Sequence, residues 1–198
     1  MKTRPVSRRR AGGFTLVELL VVISIIVVLA AMTFAGIQIA VNKQKALQTK
    51  TNASGLQTAI EGFYSTYSRL PDFGAQGDES QTEGQSGQEL LTILLGKEEA
   101  NNSMQNKKQI RFLTVEETKI KSKGGLLYGQ GGSGAKPEGL YDAWGRPFRI
   151  MLDTDYDQEI NDPLKQGNVV RNKVVIVYSY GPDGKTGGKF AADDVKTW

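Results

Sequence analysis

One stretch constrains this chain more than any other. From Leu19 to Val41 it reads LLVVISIIVVLAAMTFAGIQIAV, 23 residues without a charge. Ser24, Thr33 and Gln38 are its only polar side chains. As a helix it measures roughly 34 Å at about 1.5 Å per residue, enough for the hydrocarbon core of a bilayer. It exceeds the apolar region of a secretory signal, typically about 7–15 residues. Ahead of it lie Lys2, Arg4, Arg8, Arg9 and Arg10, with no acid in residues 1–13. Such a leader stays cytoplasmic and sends everything after Val41 across the membrane. A signal anchor, or an atypical signal peptide, accounts for the charge and the apolar run. Neither accounts for Gly12-Gly13-Phe14 immediately before the run, nor for Glu18 near its start. A carboxylate in a bilayer is costly and marks a functional position by default.

Composition narrows the choices further. The net charge of +4 comes entirely from the leader, and the remainder is slightly acidic. Bulk charge therefore gives no support to nucleic-acid binding. The chain has neither cysteine nor histidine. Disulfides, thiol metal sites, histidine triads and most catalytic zinc sites are excluded.

The stretch RRRAGGFTLVELLVVISII resembles the processing site of type IV pilins and of the pseudopilins of type II secretion. The resemblance implies cleavage after Gly13 by a membrane prepilin peptidase, which also methylates the new N-terminal Phe14. Counted from Phe14, Glu18 is the fifth residue, where the family has its glutamate. The implied partner of Glu18 is the α-amino group of a neighbouring subunit, exposed by that cleavage. A buried charge is tolerable when paired, and the pair fixes register between featureless apolar helices.

Beyond Val41 the helical pattern continues. Leu56, Ile60, Phe63, Tyr64 and Tyr67 recur at three- and four-residue steps and form an apolar face, before Pro71 marks an end. The spacing predicts one helix from about Phe14 to about Arg69. Residues 14–41 are the membrane or filament-core half and 42–70 the amphipathic continuation. The proline that the family usually has near mature position twenty-two is Ala35 here, followed by Gly36. Residues 71–139 read as variable loops with a short helix. DFGAQGDESQTEGQSGQ (72–88) and GGLLYGQGGSGAKPEG (124–139) predict mobile, exposed stretches. QELLTILLG predicts the helix, and QIRFLTVEE a strand or extended segment. The glycine-rich run lacks the GxxxxGK[ST] phosphate-loop pattern.

Residues 140–198 predict a small sheet. PFRIMLD and VVIVYSY have strand composition. Asp142-Ala143-Trp144-Gly145-Arg146-Pro147 resembles the Asp-Pro-Trp-Gly-x-Pro turn of the major type II secretion pseudopilin, with alanine for its first proline. Trp144 is read as an apolar plug beneath the turn. Two acidic groups follow. Asp153, Asp155, Asp157 and Glu159 alternate like the start of a calcium loop, but Gln158 and Leu164 stand where an EF-hand needs glycine and glutamate, so a solvated turn is the simpler reading. GPDGKTGGKFAADDVKTW resembles the calcium loop of the same pseudopilin. Asp183, Asp193 and Asp194 would supply carboxylates and turn carbonyls such as that of Tyr180 the remaining oxygens, with an exposed acidic turn as the alternative.

Taken together, these features predict an α+β, pilin-like fold: a long N-terminal helix packed on a small antiparallel sheet with a loop-rich C-terminal region. The resemblance implies a non-enzymatic subunit of a helical homo-oligomer in the inner membrane. Its partners would be the prepilin peptidase, other pseudopilins and the assembly platform, and no nucleic acid is expected. A type IV pilin or minor pilin is the alternative. A membrane-anchored enzyme using clustered carboxylates is the third, and no other catalytic constellation supports it.

Overall fold

The computed structural model describes residues 13–74, 79–186 and 192–198; the side chains of 32–36 and 133 are outside that set. The leader, residues 1–13, therefore lies outside the described residues except for Gly13. The chain divides into two units, residues 1–42 and 43–198. Helix α1, Leu16–Tyr67, contributes to both.

In the first unit, the apolar side chains from Leu16 to Leu29 are exposed. Among the described residues no helix is long and apolar enough to cross a membrane. The sequence run Leu19–Val41 passes through 32–36, where side chains are not described. The backbone helix is continuous through Ala35 and Gly36.

The second unit is α+β. Its core begins on one face of α1, where Ala53, Leu56, Ala59, Ile60 and Phe63 are buried. These positions follow the three- and four-residue steps of the sequence, as a helix covered on one side requires. Burying a leucine, isoleucine or phenylalanine contributes about 1.5–3 kcal/mol, so this stripe is a principal source of stability. Tyr64 and Tyr67 sit at its edge, partly buried. The Tyr67 hydroxyl donates to Asn106 Oδ1 at 2.8 Å and accepts from the Lys108 amide at 3.0 Å. An amphipathic ring with a satisfied polar tip suits such a border. The helix ends at Ser68, which takes a left-handed φ of 53°.

Helix α2, Gly84–Leu94, buries Leu90, Leu91, Ile93 and Leu94 in the same core. It stops at Gly96, whose φ of 66° is the left-handed conformation that ends many helices. Strands β1 (Ser80–Gln81), β5 (Arg149–Leu152), β8 (Val175–Ser179) and β9 (Val195–Lys196) form an antiparallel sheet in the order β1-β5-β8-β9. Strands β2 (Glu117–Thr118), β3 (Gly125–Tyr128) and β4 (Pro137–Tyr141) form a second sheet, in which β2 and β3 run parallel. Strands β6 (Glu159–Asn161) and β7 (Val169–Arg171) make a separate hairpin. All five residues of β8 are buried, which explains its unbroken β-branched and aromatic run.

Three expectations change. Residues 72–88 are not all loop: β1 forms there, and α2 starts at Gly84. The cause is Thr82, fully buried, whose hydroxyl donates to the Leu140 carbonyl at 2.5 Å and accepts from the Phe148 amide at 2.9 Å. A composition-based reading misses a hydroxyl that joins two sheets. Residues 124–139 are likewise ordered as β3 and β4, because Leu126 and Leu140 face each other across the hairpin with no exposure. Finally, the small sheet is three sheets, one of them containing a parallel pair.

Candidate functional site

Gly13 and Phe14 are exposed and lie just before α1. Thr15 caps the helix. Its hydroxyl accepts from the Glu18 amide at 3.3 Å, and the Glu18 carboxylate accepts from the Thr15 amide at 2.9 Å and from the Thr15 hydroxyl at 2.8 Å. This is a reciprocal capping box, which satisfies donors that a helix start leaves open. The Thr-x-x-Glu spacing of residues 15–18 is the sequence signal for this cap. Glu18 therefore has a partner within its own chain, three residues back.

The second assembly is the turn at Asp142–Arg146. Asp142 is fully buried. One carboxylate oxygen accepts from the amides of Trp144 at 2.8 Å and Arg146 at 2.9 Å, and the other from the Ser179 hydroxyl at 2.5 Å. The Asp142 amide closes the turn by donating to the Arg146 carbonyl at 2.8 Å. Ser179 passes the link on: its oxygen accepts from the Gly181 amide at 3.1 Å. Trp144 is only half-buried, so it is not the plug; Ala143 and Phe148 are the buried residues. The substitution of alanine for the resembled proline has a physical use. The Ala143 amide donates at 3.1 Å to the hydroxyl of Thr49, a buried residue of α1. Proline has no N–H to give.

This turn meets the C-terminal acidic loop. Arg146 donates to the Gly181 carbonyl. Gly184 lies against its guanidinium, such that a Cβ there would sit 2.6 Å from the guanidinium carbon. Gly181, at φ 63°, has no room for a side chain because one would strike the carbonyl oxygen of Asp193. The two arms of the loop thus touch backbone to backbone.

Within the loop, Asp183 is exposed and accepts from the Lys185 amide at 2.8 Å. Asp194 accepts from the Thr186 hydroxyl at 3.3 Å through one oxygen. Its other oxygen is buried without a hydrogen-bond partner among the described residues. Burial pushes the Asp194 carboxyl up, reinforced by the charges of Asp193 and Asp183. A buried carboxylate oxygen facing like charges is chemically suited to a hard cation. Tyr180 is held through its ring: the Arg149 guanidinium lies 4.3 Å from the ring centre, and the hydroxyl donates to Glu79 at 3.4 Å.

The other acidic group is more compact. Among the described residues, Asp153, Asp155 and Asp157 are the acids whose oxygens all approach within 4.8 Å. Asp153 is buried and accepts from the amides of Asp157 at 3.1 Å and Gln158 at 2.9 Å. Burial raises its carboxyl, and the Asp155 side chain adds to the rise. Tyr156 and Gln158 both take positive φ, 59° and 64°, in this winding. Its carboxylates are thus engaged in shaping a turn.

Comparison with known proteins bears on the N-terminal segment. Residues 8–34 match the family described as the prokaryotic N-terminal methylation motif. The chain is similar to the type IV major pilin protein PilA of Myxococcus xanthus (strain DK1622), with 39% identity over 64 residues. That similarity covers 32% of this chain and 29% of the relative's length. No solved structure matches at a significant level. The chain thus carries a prokaryotic N-terminal methylation motif at the head of a long helix that leads into an α+β unit, and over part of its length it is similar to a type IV major pilin.

Proposed function

We propose that this chain is a structural subunit of a type II secretion pseudopilus. In this reading a prepilin peptidase cuts after Gly13 and methylates Phe14. Residues 14–41 hold the subunit in the inner membrane, with the leader cytoplasmic and residues 43–198 periplasmic. The subunit then polymerises with copies of itself and with other pseudopilins on the assembly platform, and the filament drives protein export across the outer membrane. The exposed apolar side chains from Leu16 to Leu29 favour burial in lipid first and against neighbouring helices later. Glu18 would exchange its bond with Thr15 for the amine of a neighbouring Phe14.

The observation that carries the secretion assignment is the joining of the Asp142–Arg146 turn to the loop at 181–194. Both elements resemble the major pseudopilin. A calcium ion fits the loop's chemistry: Asp194 offers a buried oxygen without a hydrogen-bond partner among the described residues, with Asp183, Asp193 and a carbonyl such as that of Tyr180 as further donors. When bound, the ion would offset the repulsion among these acids. The competing reading is a type IV pilin used for adhesion, motility or DNA uptake, and the similarity to a type IV major pilin favours it.

A deletion strain complemented with wild type or Glu18→Ala separates the two. Secretion predicts loss of an exoprotein from the medium with surface motility and DNA uptake unchanged, and no rescue by Glu18→Ala although it still inserts in the membrane. Loss of motility with normal export would establish the pilin reading. Rescue by Glu18→Ala would remove the role given to that residue.

A further inference from the structure

We infer that Arg146 is the positioning residue of the C-terminal loop, an internal cation that closes the 181–184 arm before any ion binds. Two contacts converge on its guanidinium. It donates to the Gly181 carbonyl, and Gly184 lies against it, so that a Cβ there would sit 2.6 Å from the guanidinium carbon and would have to displace it. Both glycines take left-handed φ, 63° and 69°, a backbone that turns the arm back toward the guanidinium it contacts.

The arginine itself is held. Its amide donates to Asp142 at 2.9 Å, its carbonyl accepts from the Asp142 amide at 2.8 Å, and Asp142 is anchored to Ser179 on β8. The arm receives the same anchor from the other side, through the Gly181 amide on Ser179. A fixed donor on a rigid turn therefore meets a fixed acceptor, which lowers the ordering cost of the contact. Among the described residues of this arm, Pro182, Asp183, Lys185 and Thr186 are all exposed, so apolar burial does little to order it. The pairing of Ser179 with Val195 brings the two ends of the loop together, and Asp193 lies against Gly181. Arg146 thus fixes how the 181–184 arm is wound beside that pairing.

The consequence is separable from the calcium reading. A loop ordered by the ion alone opens when calcium is removed, whereas a loop closed by Arg146 stays closed. The test is hydrogen exchange by mass spectrometry on the full chain in detergent micelles, with calcium and with EGTA. The reporter is the segment 179–186, which contains the bonded amides of Gly181 and Lys185. Strand β5, Arg149–Leu152, is the control for global unfolding.

In EGTA, Arg146→Ala is expected to exchange about tenfold faster than wild type in 179–186, with β5 unchanged. Arg146→Lys, which keeps the charge and a single donor, is expected to fall between them. That partial rescue is also the test if the alanine variant loses its fold. Wild-type exchange in Arg146→Ala would overturn the inference. So would wild type opening fully in EGTA, or an Arg146→Lys segment indistinguishable from wild type. A chain insensitive to calcium that still opens on Arg146→Ala supports the inference and refutes the ion.

Discussion

Replacing Asp142 by alanine tests whether the buried carboxylate organises the C-terminal half. The residue is fully buried and its carboxylate accepts from two amides and one hydroxyl, at 2.8, 2.9 and 2.5 Å. Alanine leaves all three donors without that partner. An unsatisfied buried donor costs about 1–3 kcal/mol, but Trp144 and Arg146 are only half-buried. Water can reach one of the two amides, so a total of about 3 kcal/mol is expected rather than the full sum. For a chain of this size that lowers the melting temperature by roughly 6–12 °C. Asparagine is the discriminating control. It keeps an acceptor for the two amides and loses only the charge-assisted bond from Ser179, for an expected cost of about 1 kcal/mol. Tryptophan fluorescence of the full chain in detergent during urea unfolding reads both, since Trp144 belongs to the turn and Trp198 is the only other indole. Equal losses for alanine and asparagine, or an alanine loss below about 1 kcal/mol, would refute the network as a source of stability.

Other outcomes follow from the same geometry. Ala143→Pro removes the amide that bonds Thr49 and is expected to cost about 1–2 kcal/mol, while a double-mutant cycle with Thr49→Val should show the two losses to be non-additive. Asp194 has its folded carboxyl raised by burial, so the folded state holds a proton that the unfolded state has released. Stability in EGTA should therefore fall as pH rises from the ordinary aspartate range through the raised value, and Asp194→Asn should flatten that decline in urea midpoints. Calcium at about 100 times its dissociation constant should add about 2.7 kcal/mol at neutral pH, and Asp183→Ala or Asp194→Asn should diminish that gain in calorimetry. Thr15→Ala should loosen the first turn of α1 by about 1 kcal/mol, read as faster exchange of the Glu18 amide.

The long helix was legible because its periodicity is local: Leu56, Ile60 and Phe63 announce a face without reference to the rest of the chain. The paired strands at 149–152 and 175–179 were legible from β-branched runs for the same reason. The order of residues 80–88 and 125–141 was not, because it rests on Thr82 and on hydrogen bonds to Leu140 and Phe148 that lie about sixty residues away. Composition sees glycine and glutamine there and cannot see the hydroxyl's partners. At the C-terminal loop the acids stand out in the sequence, whereas the arginine that contacts Gly181 and Gly184 reads only as part of a turn. Its role depends on a contact across thirty-five residues. Trp144 is large but only half-buried, whereas the small Ala143 is what packs under α1.

Strand β8 imposes an order on synthesis. It is the fully buried strand of its sheet, yet it comes after every residue of α1 and α2. Until 175–179 emerge, β5 has only the two-residue β1 beside it, and Leu56, Ile60 and Phe63 lack Val175 and Val177 as neighbours in the core. Vectorial delivery of this polypeptide therefore produces a nascent chain whose apolar helix face is complete while the last part of its cover is still missing. Such a chain is a natural client for a holding chaperone, and a translational pause upstream of Val175 should leave it open to proteolysis.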